Sequence, residues 1–497
     1  MTGPDGTAAP GSGAPGPNSL VIDGSTLNCG DVVRVARGGV PVTVSPDAMK
    51  AVHLSYETAC AASSARPVYG RTTGVGANRD AVVGTSDAET HDLRLLLSHA
   101  AGVGEPLDDD VVRAAMLIRL NQLAAAGSGI HPRFVTALET ALLGDAVPVV
   151  HDGGSIGTGD LSGLAEIALA LTGHLRWGRG AVPPIPLAPG DALAFLSSNA
   201  ITLARAVLAG EELGRLLQAA HTVTALSYCA LGGSPEAFAE VVHARRPHPG
   251  AVRAAARMRQ LLWHEGDLSP GRRIQDPFGL RAFPQVHGPA LDSVDQLRRI
   301  LQIEVNAAAE NPLIDVATGG VFHHGQFSTA YAALALDHLR AAVHHVAELS
   351  AARLGDLVEP EYTGLAPFLA GGPAGSSGVM ILEYVAHDAL GRLRHSAGPV
   401  TMGTSVISRG VEDHASFTPH AARSTAAAAG NYRTVLACEL VAAVRALRLA
   451  ETAPHGRLLA ASFSELDGLL PEIVADHPLG PEVELAAGAI DGLAGPT

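Results

Sequence analysis

Gly153-Gly154-Ser155-Ile156-Gly157-Thr158-Gly159-Asp160-Leu161 is the stretch around which the chain is organised. This glycine-rich turn continues directly into apolar residues spaced i, i+3, i+4 and i+7, which predicts a buried helix beginning near Leu161. We expect Asp160 or Thr158 to cap the helix by accepting hydrogen bonds from its first backbone N–H groups. The electropositive helix terminus would then lie under a loop with almost no side chains. Alone, such a string is more often a plain capping turn, so its context decides its meaning.

Composition describes a large, weakly charged chain. The 497 residues are 47% hydrophobic and 17% charged, with a formal net charge of −15. Because the acidic residues are dispersed, the charge argues against nucleic-acid binding. The four cysteines are widely spaced and lack a CxxC motif, which predicts buried thiols in a reducing cytoplasm. We expect no transmembrane run and no membrane partner, and we interpret residues 1–18 as a disordered tail.

Apolar periodicity predicts long helices from Val111 onward. One stripe comprises Leu291, Val294, Leu297, Leu301 and Val305, and another comprises Leu334, Leu339, Val343, Val346 and Leu349. Residues 20–44 alternate as short strands do, and Ser45-Pro46-Asp47 is typical of a helix start. The sequence therefore predicts a mainly α protein. Helices that are apolar nearly all round favour burial against other subunits.

Several side chains outside the glycine-rich stretch are candidates for chemistry. Tyr69 stands beside glycine, where little can pack against it, and a phenol can transfer protons. Arg281 can bind a carboxylate through two parallel hydrogen bonds. His99 lies on an apolar helix, where a core histidine is the alternative, and Glu412 is equally a structural carboxylate or a catalytic one. The histidine pairs His323-His324 and His344-His345 lack metal-ligand spacing, so we expect no metal and solvated or interface positions for them.

The glycine-rich stretch, preceded by Val147-Pro148-Val149-Val150, resembles the signature of the aromatic amino-acid ammonia-lyases, the family of histidine, phenylalanine and tyrosine lyases and aminomutases. Further stretches resemble family motifs in the same order: Tyr69–Gly76, Leu97–Gly104, Gln275–Arg281, Glu310–Leu313, His324–Phe327 and Glu412–His414. The matches extend from about Val32 to Ala422. The chain is identified as a member of this family from its motifs.

The resemblance implies a histidine ammonia-lyase-like fold with a small N-terminal α/β region, a long central helical bundle, and a homotetramer whose sites are shared by three subunits. It also implies a boundary near residue 200. Residues 19–200 would then form an N-terminal region with the tyrosine and glycine-rich loops, and residues 201–497 would form the bundle and a C-terminal helical region.

Site roles follow from the same resemblance. Tyr69 corresponds to the family's general base, Arg281 to the arginine that pairs with the substrate carboxylate, and His99 to a histidine facing the substrate ring. Glu412 matches the glutamate of a Glu-Asp-His motif in the histidine lyases. The resemblance adds four substrate-binding positions, which are Ser197, Phe278, Asn311 and Phe327.

The glycine-rich loop departs from the family in its central triad. In the family, Ala-Ser-Gly cyclises on its own backbone to an electrophilic methylidene-imidazolone (MIO), and the serine loses water to give the methylidene. Here the triad reads Gly157-Thr158-Gly159 if Gly-Asp-Leu is kept in register. If the upstream Gly-Ser-Ile-Gly is kept instead, Thr158 takes the first position and the serine is missing. A threonine could dehydrate, but the electrophile would carry an extra methyl group.

Other departures accompany this change. Ser197 occupies the family's catalytic asparagine position, with Asn199 two residues further on. Phe278 replaces a tyrosine, Gln326 stands where asparagine usually precedes phenylalanine, and Val411 stands where glutamine precedes glutamate. Groups that form and use the electrophile are therefore lost together, while those that bind substrate and move protons are kept.

Three hypotheses follow. The favoured one is an MIO-independent lyase, isomerase or cyclase of specialised metabolism, without a cofactor, acting on a small carboxylate or aromatic substrate. The second is a histidine- or tyrosine-type ammonia-lyase with a threonine-derived MIO. The third is a catalytically silent scaffold that binds a small molecule or a partner protein.

Overall fold

The structure is a computed structural model that describes residues 19–84, 88–263, 271–403, 405–454 and 456–495. The tail predicted at residues 1–18 lies outside the described residues. The chain forms two compact units. Unit 1 contains the described residues up to Gly154 together with Gly159–Ile201 and Val305–Phe327. Unit 2 contains Ser155–Thr158, Thr202–Glu304 and the described residues from Ser328 onward.

Unit 1 opens with a small α/β region. Strands β1 (Leu20–Ile22) and β2 (Val42–Val44) pair in parallel on either side of helix α1 (Cys29–Gly38). The strands predicted for residues 20–44 are therefore correct only at the two ends, because Asn28 starts a helix by accepting a hydrogen bond from the Asp31 N–H. The predicted start at Ser45 is confirmed.

The remaining elements of unit 1 are short strands and medium-length helices. In order they are α2 (Pro46–Ala65), α3 (Ala88–His99), β3 (Val103–Pro106), α4 (Asp109–Ala124), α5 (Arg133–Leu143), β4 (Val147–Pro148), β5 (His151–Gly153), α6 (Leu161–Leu171), β6 (Trp177–Arg179), α7 (Asp191–Leu196), β7 (Leu313–Asp315) and β8 (Gly320–Phe322). The pairs β3–β5, β4–β6 and β7–β8 are antiparallel.

The helix predicted after the glycine-rich stretch is α6, and its predicted apolar residues are almost all buried. Asp160 is its N-cap residue, but the side chain accepts no capping hydrogen bond from the helix. The predicted side-chain cap is therefore wrong. The backbone at this point is fixed by a different contact, in which the Asp160 N–H donates to the Ser198 carbonyl over 2.7 Å.

Unit 2 is a bundle of long helices. Its helices are α8 (Ala200–Leu231, which begins in unit 1), α9 (Glu240–Ala244), α10 (Pro249–Leu262), α11 (Phe278–Arg281), α12 (Phe283–Glu304), α13 (Ala330–Val358), α14 (Pro360–Thr363), α15 (Ile381–Ala397), α16 (Thr418–Leu449), α17 (Arg457–Leu469) and α18 (Gly480–Ala489). Helix α13 packs against α12, α15 and α16, and these contacts form the core of the unit.

The predicted apolar stripes are largely confirmed. Leu291, Val294, Leu297 and Leu301 are all buried along α12. On α13 the prediction is wrong for Leu334, which is 66% exposed. Leu334 lies five positions before Leu339, so the helical repeat of 3.6 residues turns it away from the buried face.

One described helical stretch, Asp191–Leu231, is long and apolar enough to cross a membrane by length and composition. The expectation that no apolar run reaches this length is therefore wrong. Within the protein, 83% of the apolar window is buried. Its hydrophobicity is thus accounted for by packing in the protein core.

Candidate active site

Residues Ser155–Thr158 of the glycine-rich loop belong to unit 2, where the segment before α16 holds them. The Ser416 hydroxyl donates to the Gly157 carbonyl over 3.1 Å, and the Phe417 N–H donates to the Ile156 carbonyl over 2.9 Å. Ser416 is itself buried, 2.7 Å from the hydroxyl of Thr418. Gly157 has φ of +92°, and a Cβ added there would lie 2.1 Å from the Ser416 hydroxyl oxygen. The loop therefore requires glycine at this position as long as Ser416 keeps its place.

The next part of the stretch, from Gly159 onward, belongs to unit 1, where Asn199 binds it. The Gly159 N–H donates to Asn199 Oδ1 over 3.2 Å, and Asn199 Nδ2 donates to the Phe327 carbonyl over 2.6 Å. Asn199 thus contacts the glycine-rich loop. It lies two residues after Ser197, the residue that the resemblance aligned with the family's catalytic asparagine. The sequence contained this signal, but motif register alone did not identify Asn199 as the residue that binds the loop.

Ser197, Asn311 and Phe327 belong to one hydrogen-bonded region of unit 1. The Asn311 N–H donates to the Ser197 hydroxyl over 2.8 Å, and Asn311 Oδ1 accepts from the His324 N–H over 3.1 Å. The Phe327 carbonyl accepts a hydrogen bond from Asn199, which lies two residues after Ser197. Three of the predicted substrate-binding residues are therefore brought together with Asn199.

A buried ion pair supports Asn311. Arg119 and Glu310 lie 2.7 Å apart, and their side chains are 1% and 2% exposed. Arg119 also donates to the carbonyls of Phe195 and Ala194. Burial raises the pKa of the Glu310 carboxyl, and Arg119 opposes this by favouring the charged form. The pair fixes the backbone just before Asn311.

Tyr69 lies in a turn of unit 1, and its phenol folds back onto the loop that follows it in the sequence. Its hydroxyl oxygen accepts the Gly76 N–H over 2.7 Å, and its own N–H donates to His323 Nε2 over 3.4 Å. The rings of Tyr69 and His323 meet edge to face with centroids 6.3 Å apart. His323 is exposed, as predicted for its pair, and it is also a neighbour of the predicted base.

The loop after Tyr69 is anchored by Arg71. This buried side chain donates to the carbonyls of Gly129 and Pro189 over 3.1 and 3.3 Å. These two hydrogen bonds hold the loop at this residue. The Arg71 guanidinium is thus engaged by backbone carbonyls of unit 1.

His99 ends α3 with a defined tautomer. Its Nδ1 lies 2.8 Å from the Leu95 carbonyl, which can only accept, so Nδ1 carries the proton. In the neutral ring, Nε2 then has a lone pair for a ligand. The predicted contact of His99 with a substrate ring stays a prediction.

Arg281 ends the one-turn helix α11 in unit 2. Its Nε donates to the Asp276 carbonyl over 2.8 Å, and its guanidinium carbon lies 4.2 Å from the centre of the Phe278 ring. Since Nε is engaged, the two terminal nitrogens form the edge that a carboxylate would bind end-on. Phe278 therefore supports the guanidinium through a cation–π contact.

Glu412 is half-buried in unit 2 within a tight backbone bridge. Its carbonyl accepts the Ile407 N–H over 2.8 Å, and the intervening Ser408 and Arg409 have φ of +52° and +56°. Two consecutive left-handed non-glycine residues mark a strained segment. Its catalytic role stays a prediction. Among the described residues, no group of three or more His, Cys, Asp and Glu side chains is arranged to hold a metal ion.

The chain matches the family described as aromatic amino acid lyase over residues 27–467. The histidine ammonia-lyase of Geobacillus thermodenitrificans is 34% identical over 490 residues, covering 94% of this chain and 96% of the relative. Ergothionase from Treponema denticola has a TM-score of 0.89 at 27% identity, covering 96% of this chain and 99% of that protein. Phenylalanine aminomutase from Pantoea agglomerans has a TM-score of 0.90 at 27% identity, covering 95% and 99%.

The mainly helical fold of the chain is thus the histidine ammonia-lyase-like fold. The chain belongs to the aromatic amino acid lyase family, and it is a lyase-family enzyme with the mainly helical fold of that family. The predictions of family, fold class and enzymatic character are confirmed.

Proposed function

We propose that this enzyme is an MIO-independent lyase, isomerase or cyclase that acts on a small aromatic or carboxylate substrate. The observation that carries the proposal is the contrast between the loop and its surroundings. The loop has Thr158 where the electrophile needs serine, whereas Tyr69 and Arg281 are present with defined contacts. A family member that kept only these groups would retain proton transfer and carboxylate binding.

Tyr69 is the proposed acid–base group. Proton abstraction by a phenol requires a phenolate, and the Gly76 N–H at 2.7 Å from the phenolic oxygen supplies a donor that stabilises negative charge there. In an elimination, the phenolate takes a proton from the substrate carbon, the C–H pair forms the double bond, and the leaving group departs with its bonding pair. Glu412 is the second proposed acid–base residue.

Arg281 is the proposed carboxylate clamp. Its end-on edge fits the two oxygens of a carboxylate, and the Phe278 ring beneath it supports the guanidinium. His99, Ser197, Asn311 and Phe327 are the other proposed substrate-binding residues. His99 and Phe327 offer flat surfaces to an aromatic ring, and the amide and hydroxyl groups offer polar contacts.

The family's prosthetic group does not fit the loop residues. Its methylidene derives from serine, and Thr158 would place a methyl group on that carbon. An alanine-like first residue is also disfavoured, since a Cβ on Gly157 would meet the Ser416 hydroxyl at 2.1 Å. We therefore propose chemistry in which Gly157, Thr158 and Gly159 remain an uncyclised loop.

One observation favours a second candidate, an ammonia-lyase with a threonine-derived group. Cyclisation would join the Gly159 nitrogen to the Gly157 carbonyl carbon, and these two groups are hydrogen-bonded to Asn199 and Ser416 respectively. The same contacts are equally suited to holding an open loop. An intact chain lighter by two waters would favour this candidate.

We further propose a cytoplasmic homotetramer in which different subunits contribute to each site. The family resemblance supports shared sites. Exposed apolar side chains on α13 and α15 support the assembly, since such surfaces on long helices commonly mark subunit contacts.

The experiment that tests the proposed chemistry uses NMR in D2O. L-phenylalanine, L-tyrosine and L-histidine are each incubated with the enzyme, and deuterium at the β carbon and any new product are recorded. We expect exchange or turnover with at least one of them, and none with Tyr69→Phe. If the enzyme exchanged no proton of any of the three and bound none of their deaminated products, the proposed reaction would be wrong.

Shared sites are tested by complementation. Tyr69→Phe and Arg281→Lys chains are co-expressed with different tags, and the mixed oligomers are purified. Part of the activity should return, because some sites then receive an intact Tyr69 and an intact Arg281 from different chains. Mixed oligomers as inactive as either parent would argue that each chain supplies both residues to its own site.

A further inference from the structure

The segment that carries Arg281 has little regular structure of its own. Helix α11 is a single turn, Phe278–Arg281, so its position must be set by contacts with other parts of unit 2. The decisive contact is at Gly279, whose carbonyl accepts a hydrogen bond from Arg353 Nη1 over 3.0 Å. Arg353 lies on the long helix α13, in the core of the unit.

Arg353 is held by a carboxylate on a second long helix. Its Nε and Nη2 donate to the two oxygens of Glu439 over 2.6 and 2.7 Å, in a bidentate pair between α13 and α16. The two side chains are 1% and 0% exposed. A bidentate pair fixes the plane of the guanidinium, so the remaining Nη1 points in one direction only.

Glu439 is in turn fixed by two hydroxyl groups. Ser227 donates to one of its oxygens over 2.7 Å, and Ser350 donates to the other over 2.6 Å. With the two bonds from Arg353, four donors reach this carboxylate. Because these donors fill so many of its acceptor positions, the carboxylate is held in one orientation. The bidentate pair in turn fixes the orientation of Arg353.

The approach of Arg353 to α11 is close. A Cβ on Gly279 would lie 3.0 Å from Arg353 Cγ, so a larger residue would push the two apart. The other end of the segment is fixed at Asp276, which accepts the Ser234 N–H over 2.6 Å. Asp276 also accepts from Arg273 Nε over 3.0 Å. Arg281 donates to the Asp276 carbonyl, so both ends of the segment have fixed positions.

We propose that Arg353 and Glu439 are positioning residues for the carboxylate clamp, acting on Arg281 through the Gly279 carbonyl. This inference rests on the proposed function, in which Arg281 binds the substrate carboxylate. A shift of Gly279 would move Phe278 and Arg281 together, because they flank it in the same turn. The pair thereby sets the angle at which a carboxylate meets the guanidinium edge.

A purely stabilising role explains the pair less well. Desolvation of two buried charges offsets most of their attraction, and apolar residues of similar volume often stabilise a core equally well. Apolar replacements would keep α13 and α16 packed but would remove the donor to Gly279. The directional hydrogen bond from Arg353 to the Gly279 carbonyl of α11 is what distinguishes the ion pair from an apolar contact.

The test compares Arg353→Lys and the paired change Arg353→Met with Glu439→Leu against Arg340→Lys. Arg340 is an apt control because it is a buried arginine on the same helix, where it donates to the carbonyls of Ser396 and Ala421 over 2.7 and 3.0 Å. Two readouts are taken on the full-length protein. Hydrogen exchange reports the amides of α11, and calorimetry reports the affinity for trans-cinnamate, an aromatic carboxylate.

Both Arg353 variants should speed amide hydrogen exchange in α11. They should also lower the affinity for trans-cinnamate about tenfold, which is the effect of losing one charged hydrogen bond. Arg340→Lys should do neither, even if it melts earlier. If either Arg353 variant folds and leaves both readouts at their wild-type values, the positioning role is wrong. A different result would show that Arg281 does not bind the substrate carboxylate. In that case Arg281→Lys would leave the affinity for trans-cinnamate unchanged, while the Arg353 variants would still change hydrogen exchange in α11.

Discussion

At the scale of single residues, Tyr69 carries the largest expected effect. Tyr69→Phe should lower turnover of the substrate by about 10²–10⁴-fold, because it removes the proposed acid–base group. Stability should fall by only about 1 kcal/mol, the cost of losing the hydrogen bond from the Gly76 N–H. Steady-state kinetics and thermal melting check the two expectations.

The matched control for this change is Tyr331→Phe, since Tyr331 is 75% exposed on α13. It should leave turnover unaltered. Full activity in Tyr69→Phe would show that another group moves the proton, and Glu412 and His99 would then be tested in the same way.

Arg281→Lys should weaken binding more than it slows chemistry. A lysine keeps the charge but has no planar fork and cannot stack on Phe278 in the same way. We expect KM to rise about tenfold or more with a smaller change in kcat. Lys50, which is 78% exposed and pairs with Asp47, offers a conservative control as Lys50→Arg. A rise in KM as large in the control as in Arg281→Lys would argue against a specific clamp.

Single residues also show what the sequence could and could not predict. Motif order predicted Ser197, Asn311 and Phe327 as substrate-binding residues, and that role stays a prediction. Motif order did not identify Asn199 as a neighbour of the glycine-rich loop or His323 as a neighbour of Tyr69. These contacts depend on how the chain turns between motifs. Likewise, only three-dimensional contacts show that Arg71 is engaged by the Gly129 and Pro189 carbonyls.

At the scale of elements, the glycine-rich loop allows a direct mass test. The peptide spanning Ser155–Leu161 should have its full mass, because the loop lacks the serine that normally dehydrates. Digestion of the purified protein followed by mass spectrometry checks this, and Asn199→Ala serves as a comparison because it removes the acceptor of the Gly159 N–H. A wild-type peptide short by two waters, with the Asn199→Ala peptide at full mass, would instead indicate cyclisation assisted by Asn199.

Element boundaries followed the sequence where a side chain specifies them. The hydroxyl of Ser45 and the amide of Asn28 each accept a backbone N–H at the start of a helix. The helix α1 was nevertheless missed, because alternation of apolar and polar residues in a short segment fits a strand as well as one helical turn. Asp160 shows the converse, a good capping residue at the right place whose side chain does not cap α6.

At the scale of the whole molecule, exposed apolar residues on unit 2 predict assembly. Tyr331 and Leu334 lie three residues apart on α13 and are 75% and 66% exposed, and Ile381 and Tyr384 repeat the spacing on α15 at 50% and 68%. Light scattering should give close to four times the chain mass of 50.7 kDa. Leu334→Glu should lower that mass because it places a charge in an apolar contact.

The control for assembly is Leu458→Glu on α17, where the leucine is 53% exposed and lies outside α13 and α15. It should leave the mass unaltered. A monomer for the wild-type chain at micromolar concentration would contradict the proposed tetramer.

Two buried histidines predict how the stability of the molecule depends on pH. The rings of His221 and His287 meet edge to face with centroids 4.6 Å apart, and each ring donates one N–H to a backbone carbonyl. Burial lowers the pKa of His221 from 6.5 to about 4, and burial also lowers that of His287 well below its ordinary value. Both are therefore neutral in the folded protein at neutral pH.

The unfolded chain binds these protons first as the pH falls below 6.5, the ordinary pKa of His221. The free energy of unfolding should therefore fall between that pH and about pH 4, with each histidine contributing on the order of 2 kcal/mol by pH 5. His221→Asn, which keeps a donor for the Gln218 carbonyl, should flatten this dependence, as followed by urea denaturation. The exposed control His345→Asn should leave the slope unaltered, and an unaltered slope in His221→Asn would refute the assignment.

The division of the chain has a consequence for its synthesis. Unit 1 takes its last segment, Val305–Phe327, only after the 103 residues of Thr202–Glu304 have been made for unit 2. The partners Arg119 and Glu310 stand 191 positions apart, so unit 1 cannot close while Glu310 is still inside the ribosome. Domains generally fold in the order in which they emerge, but here the first to begin must wait for part of the second. The nascent chain therefore carries long apolar helices before their packing partners exist, a period in which protection by chaperones would determine the yield of native enzyme.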